Sequence, residues 1–216
     1  MPRTEKSSIC DLQGLSASIS GCRICVDAPH KSPLPHQPRP VAVLSATARL
    51  AIVGQAPGAR VHATGIPFND PSGDRLRDWM QVSCETFYDA SRVAIVPMGF
   101  CFPGHDRNKS DLPPRTECRA HWHDLIFDAM PQLEVIVCIG AYAQAYHLPR
   151  LGFGYKRPAA VTAIVANWRE YHTGSPKIIA LPHPSWRNTG WLRKNPWFET
   201  DVLPVLRAEV RKTTST

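Results

Sequence analysis

The sequence predicts an α/β fold: a three-layer sandwich with a central, mostly parallel four-stranded sheet. Three observations carry this expectation. Four apolar runs are continuous rather than alternating, the pattern of strands buried on both faces. Stretches of helical spacing stand between them, and the order strand, helix, strand, helix builds a parallel sheet covered by helices. The length of 216 residues, 43% hydrophobic and 20% charged, fits one soluble domain spanning 1–216.

The elements follow in order. A short helical N-terminal stretch leads to Cys22 and Cys25, which open an irregular region reaching about residue 47. The run 48–54, ARLAIVG, ends at a glycine and predicts the first strand. Residues 71–82, PSGDRLRDWMQV, begin with Pro and an acid and predict a helix. RVAIVPMG (92–99) is the second strand, and Arg115 to Met130 a helix with Trp122, Leu125, Ile126 and Ala129 at helical spacing. LEVIVCIG (133–140) is the third strand, followed at once by the helix AYAQAYHL. KIIALPHPS (177–185) is the fourth, and a last helix carries Phe198, Val202, Leu206 and Val210 on one face. In such sheets ligands bind beyond the carboxyl ends of the strands. GQAPG (54–58), MGFCFPG (98–104) and HPSWRN (183–188) therefore share one rim.

Composition narrows the function classes. No stretch approaches the roughly 18–20 apolar residues of a membrane span, and MPRTEKSSICDLQG lacks the apolar run of a signal peptide, so a cytoplasmic protein without membrane contact is expected; a monomer is expected as a separate matter. With 25 Lys and Arg against 18 Asp and Glu, the net charge of +7 favours a polyanionic partner. Seven cysteines in such a chain argue against a disulfide framework. Cys22 and Cys25 form C-x2-C, and Cys101 and Cys118 stand sixteen residues apart. Four thiolates suit a 4Fe-4S cluster or a structural zinc, and spacing alone does not choose. The 21 prolines gather at 29–40 and 102–114, which read as irregular connections.

Two motifs at strand ends carry a family likeness. GQAPG followed by GIPF (65–68), and later HPSWRN, resemble the first and second motifs of the uracil-DNA glycosylase superfamily, with the likeness running from Cys22 to about Arg211. It is nearest to the iron-sulfur branches often called families 4 and 5. That resemblance implies a structural 4Fe-4S cluster on Cys22, Cys25, Cys101 and Cys118, stapling an N-terminal segment at about 8–47 to the 101–118 loop. It also implies DNA as partner, with uracil as the excised base and an abasic site as product. His183 takes the role of the histidine that stabilises the departing base anion.

The residues fit that chemistry physically. A duplex hides the glycosidic bond, so the nucleotide must be extruded into a pocket that stacks on its face. Phe68 is the candidate platform, against the plainer reading of a core phenylalanine. Gly54, Gln55 and Ala56 belong to a tight turn whose N–H groups can face base carbonyls. Gln55 stands where family 4 has glutamate, and an amide orients water without taking its proton. His62 and Asp70 are candidates for the missing base, with Gln55 and His62 ranked ahead of Asp70. Pro97 and Met98 stand where several branches read the uracil edge with asparagine, which leaves backbone groups, Gln55 or Asn108 for that task. Gly58 replaces a tyrosine that excludes thymine in other branches, so wider specificity, including deaminated purines, stays open.

For DNA, Arg187 falls at the wedge position with Trp186 beside it, and either plane can stack in the space left by the extruded base. Ser185 and Asn188 are candidate phosphate contacts, and Arg193 with Lys194 a basic pair among tryptophans, where helix packing is the plainer reading. No lysine occupies a motif position, which predicts a monofunctional enzyme. The rival from another class is a DNA-binding protein that keeps the fold and grips abasic or uracil-containing sites without efficient hydrolysis.

Overall fold

The computed structural model describes residues 12–155 and 161–215. Cys10 and the first residues of the expected 8–47 segment lie outside them. In chain order the elements are α1 (Leu12–Ser20), α2 (Ile24–Asp27), β1 (Leu50–Val53), α3 (Ala59–Thr64), α4 (Pro71–Met80), α5 (Cys84–Tyr88), β2 (Val93–Ile95) and α6 (Thr116–Asp128). They continue with β3 (Val135–Ile139), α7 (Gly140–Arg150), α8 (Val161–Ala166), α9 (Trp168–Tyr171), β4 (Lys177–Leu181), α10 (Thr189–Lys194) and α11 (Leu203–Thr214). A wide π-type turn at Phe198–Val202 runs into α11.

The four strands form one sheet in the order β2-β1-β3-β4, every pair parallel. The continuous apolar runs have the predicted cause: side chains alternate between two cores. Ala51, Val53, Ala94, Ile136, Cys138 and Ala180 face a layer built on α1, α6 and α7. Leu50, Ile52, Ile95, Val137, Ile139 and Leu181 face the layer of α4, α5 and α11. Nearly every strand residue is buried, so each contributes a hydrophobic side chain to one of the two cores. β2 is shorter than its apolar run because Pro97 has no N–H for the ladder. The ladder-like contacts go on around it, with Val96 N–H to Ile52 O at 2.9 Å and Met98 N–H to Gly54 O at 2.9 Å.

The N-terminal region packs rather than trails: Leu15, Ile19 and Cys25 are buried against the α6 side of the sheet. Val43 bridges antiparallel to Ile95 at the free edge of β2 and covers it. From β1 the sheet grows one way to β2 and the other way to β3 and β4. The crevice between β1 and β3 is thus the topological switch point, where a ligand site is expected.

Candidate active site

The turn after β1 opens the site. Gly54 O accepts from Met98 N–H and Gln55 O from Gly99 N–H at 3.1 Å, so GQAPG is tied to the loop that leaves β2. The N–H groups of Gln55, Ala56 and Gly58 donate to no described backbone group, and the Gln55 amide bonds no described residue. Gly54, Gln55, Ala56, Phe68, Asp70 and His183 line one cleft of about 520 Å3, counted to its open mouth. Its deep wall is apolar, made by Val41, Ile95, Pro97 and Ile139.

Phe68 is set by its backbone. Its φ of 53° is left-handed, an uncommon conformation for a bulky residue. Its carbonyl receives the buried Arg77 guanidinium and the Tyr88 hydroxyl, each at 3.4 Å. Arg77 is held in turn by Asp74 at 2.6 Å and lies over the Phe87 ring, against which Phe68 packs edge-on. Gly73 makes this possible, because a Cβ there would overlap the Phe68 carbonyl oxygen. Asp70 is the N-cap of α4, its Oδ1 accepting from Gly73 N–H at 2.9 Å.

His183 follows β4 and is oriented by its own turn. Nδ1 accepts from Ser185 N–H at 3.2 Å, so the neutral ring carries its proton on Nε2. Burial lowers its pKa, and the weaker opposing fields of Asp70 and Asp111 do not restore it. The ring is therefore a neutral Nε2–H donor on the cleft wall. Asn188 Nδ2 donates to His183 O at 2.7 Å, and Arg75 on α4 clamps the loop through Ser185 O at 2.9 Å. Asn188 thus supports His183 from behind, a role its sequence context did not reveal.

Outside the cleft, a groove of about 1290 Å3 includes Ser185, Trp186 and Arg187 on one side and Lys109 and Asp111 on the other. Trp186 is 73% exposed, with the Arg187 guanidinium 5.9 Å from its ring. The structure does not bring every predicted residue here. His62 does not line the cleft: its ring packs on His36 at 4.3 Å and near Phe102, because α3 turns that face toward the Pro-rich loops. Asn108 is exposed on the loop 105–111, where its N–H serves Asp106. Arg193 and Lys194 are exposed in the last turn of α10, outside the groove lining.

The four cysteines converge on the α6 side of the sheet. Cys118 and Cys101 each feel the charge of Cys25, and Cys101 that of Cys22 as well. Trp122 Nε1–H points at Cys22 Sγ at 3.3 Å and Phe100 N–H at Cys118 Sγ at 3.4 Å. Burial, first of several causes, pushes the Cys101 thiol up to about 12. Cys25, Cys101 and Cys118 are buried and Cys22 half-buried, and four thiols with N–H donors beside two of them have the donor chemistry of a thiolate-bound metal or cluster. Among the described residues, however, no three ligating side chains already stand at metal-holding spacing. No described helix is long and apolar enough to cross a membrane.

Comparison with known proteins bears on the family. A solved structure of SMUG2 from Pedobacter heparinus aligns with a TM-score of 0.42 and 12% identity, covering 76% of each chain. The sequence pattern described as the Uracil DNA glycosylase superfamily matches residues 41–207, from the loop before β1 into α11 and through both strand-end motifs. The chain belongs to the uracil-DNA glycosylase superfamily.

Proposed function

We propose that the protein is a monofunctional glycosylase, acting as a monomer, that hydrolyses the N-glycosidic bond of uracil in DNA and opens base-excision repair. The observation that carries this reading is His183, a neutral Nε2–H donor in the same cleft as Phe68. The extruded base stacks on Phe68, while His183 and the free N–H groups of the GQAPG turn meet its carbonyl oxygens. As the bond breaks, negative charge grows on the base and positive charge on the sugar. Donors already aimed at the base stabilise the first without reorganising. Asp70, with one oxygen committed to the α4 cap, turns its carboxylate charge toward the second. Gln55 orients the water that attacks. Trp186 and Arg187 fill the stack that the base has left.

Cys22, Cys25, Cys101 and Cys118 would hold a structural 4Fe-4S cluster of the family 4/5 type, with structural zinc as the rival metal. Such a group supplies cross-linking of the fold, and no step of the reaction is assigned to it. A second functional reading is favoured by Gln55, which cannot accept a proton, and by the apolar wall at Pro97. It is a protein that binds abasic or uracil-containing DNA with little or no hydrolysis.

One assay separates these readings. End-labelled oligonucleotides bearing uracil, hypoxanthine, xanthine or a thymine mismatch, single- and double-stranded, are incubated with limiting protein and then treated with alkali. Multiple turnovers at uracil are expected. Turnover only at a purine would move the substrate class. Stable complexes with abasic DNA and no released base would establish the binder.

A further inference from the structure

Asp111 is a carboxylate at the site that the two sequence motifs do not contain. It ends a loop pinned at several points. His105 and Asp111 form an antiparallel bridge, and Leu112 N–H donates to Gly104 O at 2.9 Å. Asp106 Oδ1 accepts from Asn108 and Ser110 N–H at 2.8 and 2.9 Å. The side chain is fixed as well, since Oδ1 pairs with His105 Nε2 at 3.1 Å. Oδ2 lies over the GQAPG turn, 3.5 Å from where a Cβ on Gly58 would stand. The carboxylate field reaches His183 from across the groove.

Position decides the role. Asp70 lines both the inner cleft and the outer groove, whereas Asp111 lines the groove without lining the cleft. With the base in the cleft, its sugar lies at the mouth. The attacking water approaches C1′ from the side away from the departing base, which is the groove side. Asp111 is 47% exposed there and open to solvent. Resting on the glycosylase reading, we propose that Asp111 is the group that accepts the proton of the attacking water, supplying the base that Gln55 is not.

The step balances. The water oxygen bonds to C1′ as the C1′–N bond breaks, its electron pair going to the base, which His183 Nε2–H stabilises. The water proton passes to Asp111 Oδ2 and then to solvent, and solvent protonates the released base. His105 is a positioning residue that holds Oδ1 and thereby aims Oδ2.

The test is single-turnover excision by wild type, Asp111→Asn and His105→Gln, on the oligonucleotide the wild type cleaves. Affinity for a duplex with an abasic-site analogue is measured in parallel, and melting checks the fold. Asp111→Asn is expected to lose about 100-fold or more in rate, as for removal of a general base, and to keep its affinity. His105→Gln is expected to lose less, because its amide can still donate to Oδ1. A folded Asp111→Asn protein as fast as wild type overturns this inference alone. A fall in rate matched by an equal fall in affinity also overturns it, since Asp111 would then only shape the groove. A wild type that releases no base overturns it together with the glycosylase reading.

Discussion

His183 illustrates how one backbone hydrogen bond sets a protonation state. Ser185 N–H occupies Nδ1 at 3.2 Å, and a protonated ring would have to give up that acceptor. Burial works in the same direction, holding the pKa below the ordinary 6.5 against the opposing pull of Asp70 and Asp111. The neutral donor therefore persists as pH falls past 6.5 and is lost only as pH drops through the lowered value. The contribution of His183 to the acid limb of the single-turnover rate is expected below 6.5, and a His183-dependent limb centred above it would contradict the lowering by burial. His183→Ala is expected to slow excision by about 100- to 1000-fold, the usual loss for one donor aimed at developing charge. His183→Gln should recover part of that, because its amide keeps an N–H. Nothing in the letters HPSWRN foretold the supporting contact from Asn188; that needed the turn geometry.

At the scale of the element, α4 organises three parts of the site from one helix start. Asp70 caps it, Gly73 admits the Phe68 carbonyl, and Arg75 and Arg77 reach the His183 loop and Phe68 respectively. Gly73→Ala must push the Phe68 carbonyl away from Arg77 and Tyr88 and disturb the cap, at a cost of about 1–3 kcal/mol in stability. Stacking loss should follow, with excision falling by at least the roughly 10-fold that an aromatic platform is worth. Melting and single-turnover assays on Gly73→Ala beside Phe68→Ala check this, and unchanged excision by Gly73→Ala would show that Phe68 tolerates a different backbone. The sequence could give α4 because Pro71 and Asp74 mark its first turn, and it could give all four strands because each is an unbroken apolar run. It could not give α3, α5, α8, α9 or α10, which span six residues or fewer and have too little periodicity to read. Leu125 has helical spacing yet is 47% exposed, since α6 turns it outward. Phe68, Asp70 and His183 were legible because they sit inside or beside strand-end motifs. Asp111 and Gly73 were not, because their roles arise from contacts across loops. His62 misled for the same reason: proximity to the motif in sequence did not decide which face of α3 it occupies.

At the scale of the molecule, the cysteines join parts of the chain that the sheet does not. Cys22 and Cys25 belong to the N-terminal region, Cys101 to the loop leaving β2, and Cys118 to the first turn of α6. Cys101 lies three residues before Gly104, where the pinned loop bearing Asp111 begins. A group bound to all four thiols would therefore brace the outer wall of the groove as well as the N-terminus. Binding to the folded chain alone stabilises it by mass action, and the ligands must be held as thiolates, which burial of Cys101 opposes without a compensating cation. Protein purified without oxygen is expected to show visible charge-transfer absorbance with about four iron and four sulfide per chain. Cys101→Ser should lower iron content and melting temperature together and expose the loop 105–111 to proteolysis. Stoichiometric zinc without iron would replace the cluster by a zinc site on the same residues. Neither metal, with melting of Cys101→Ser unchanged, would mean that no bound group bridges the four thiols. The groove wall carrying Asp111 would then depend on its own hydrogen bonds and the His105 pair for rigidity.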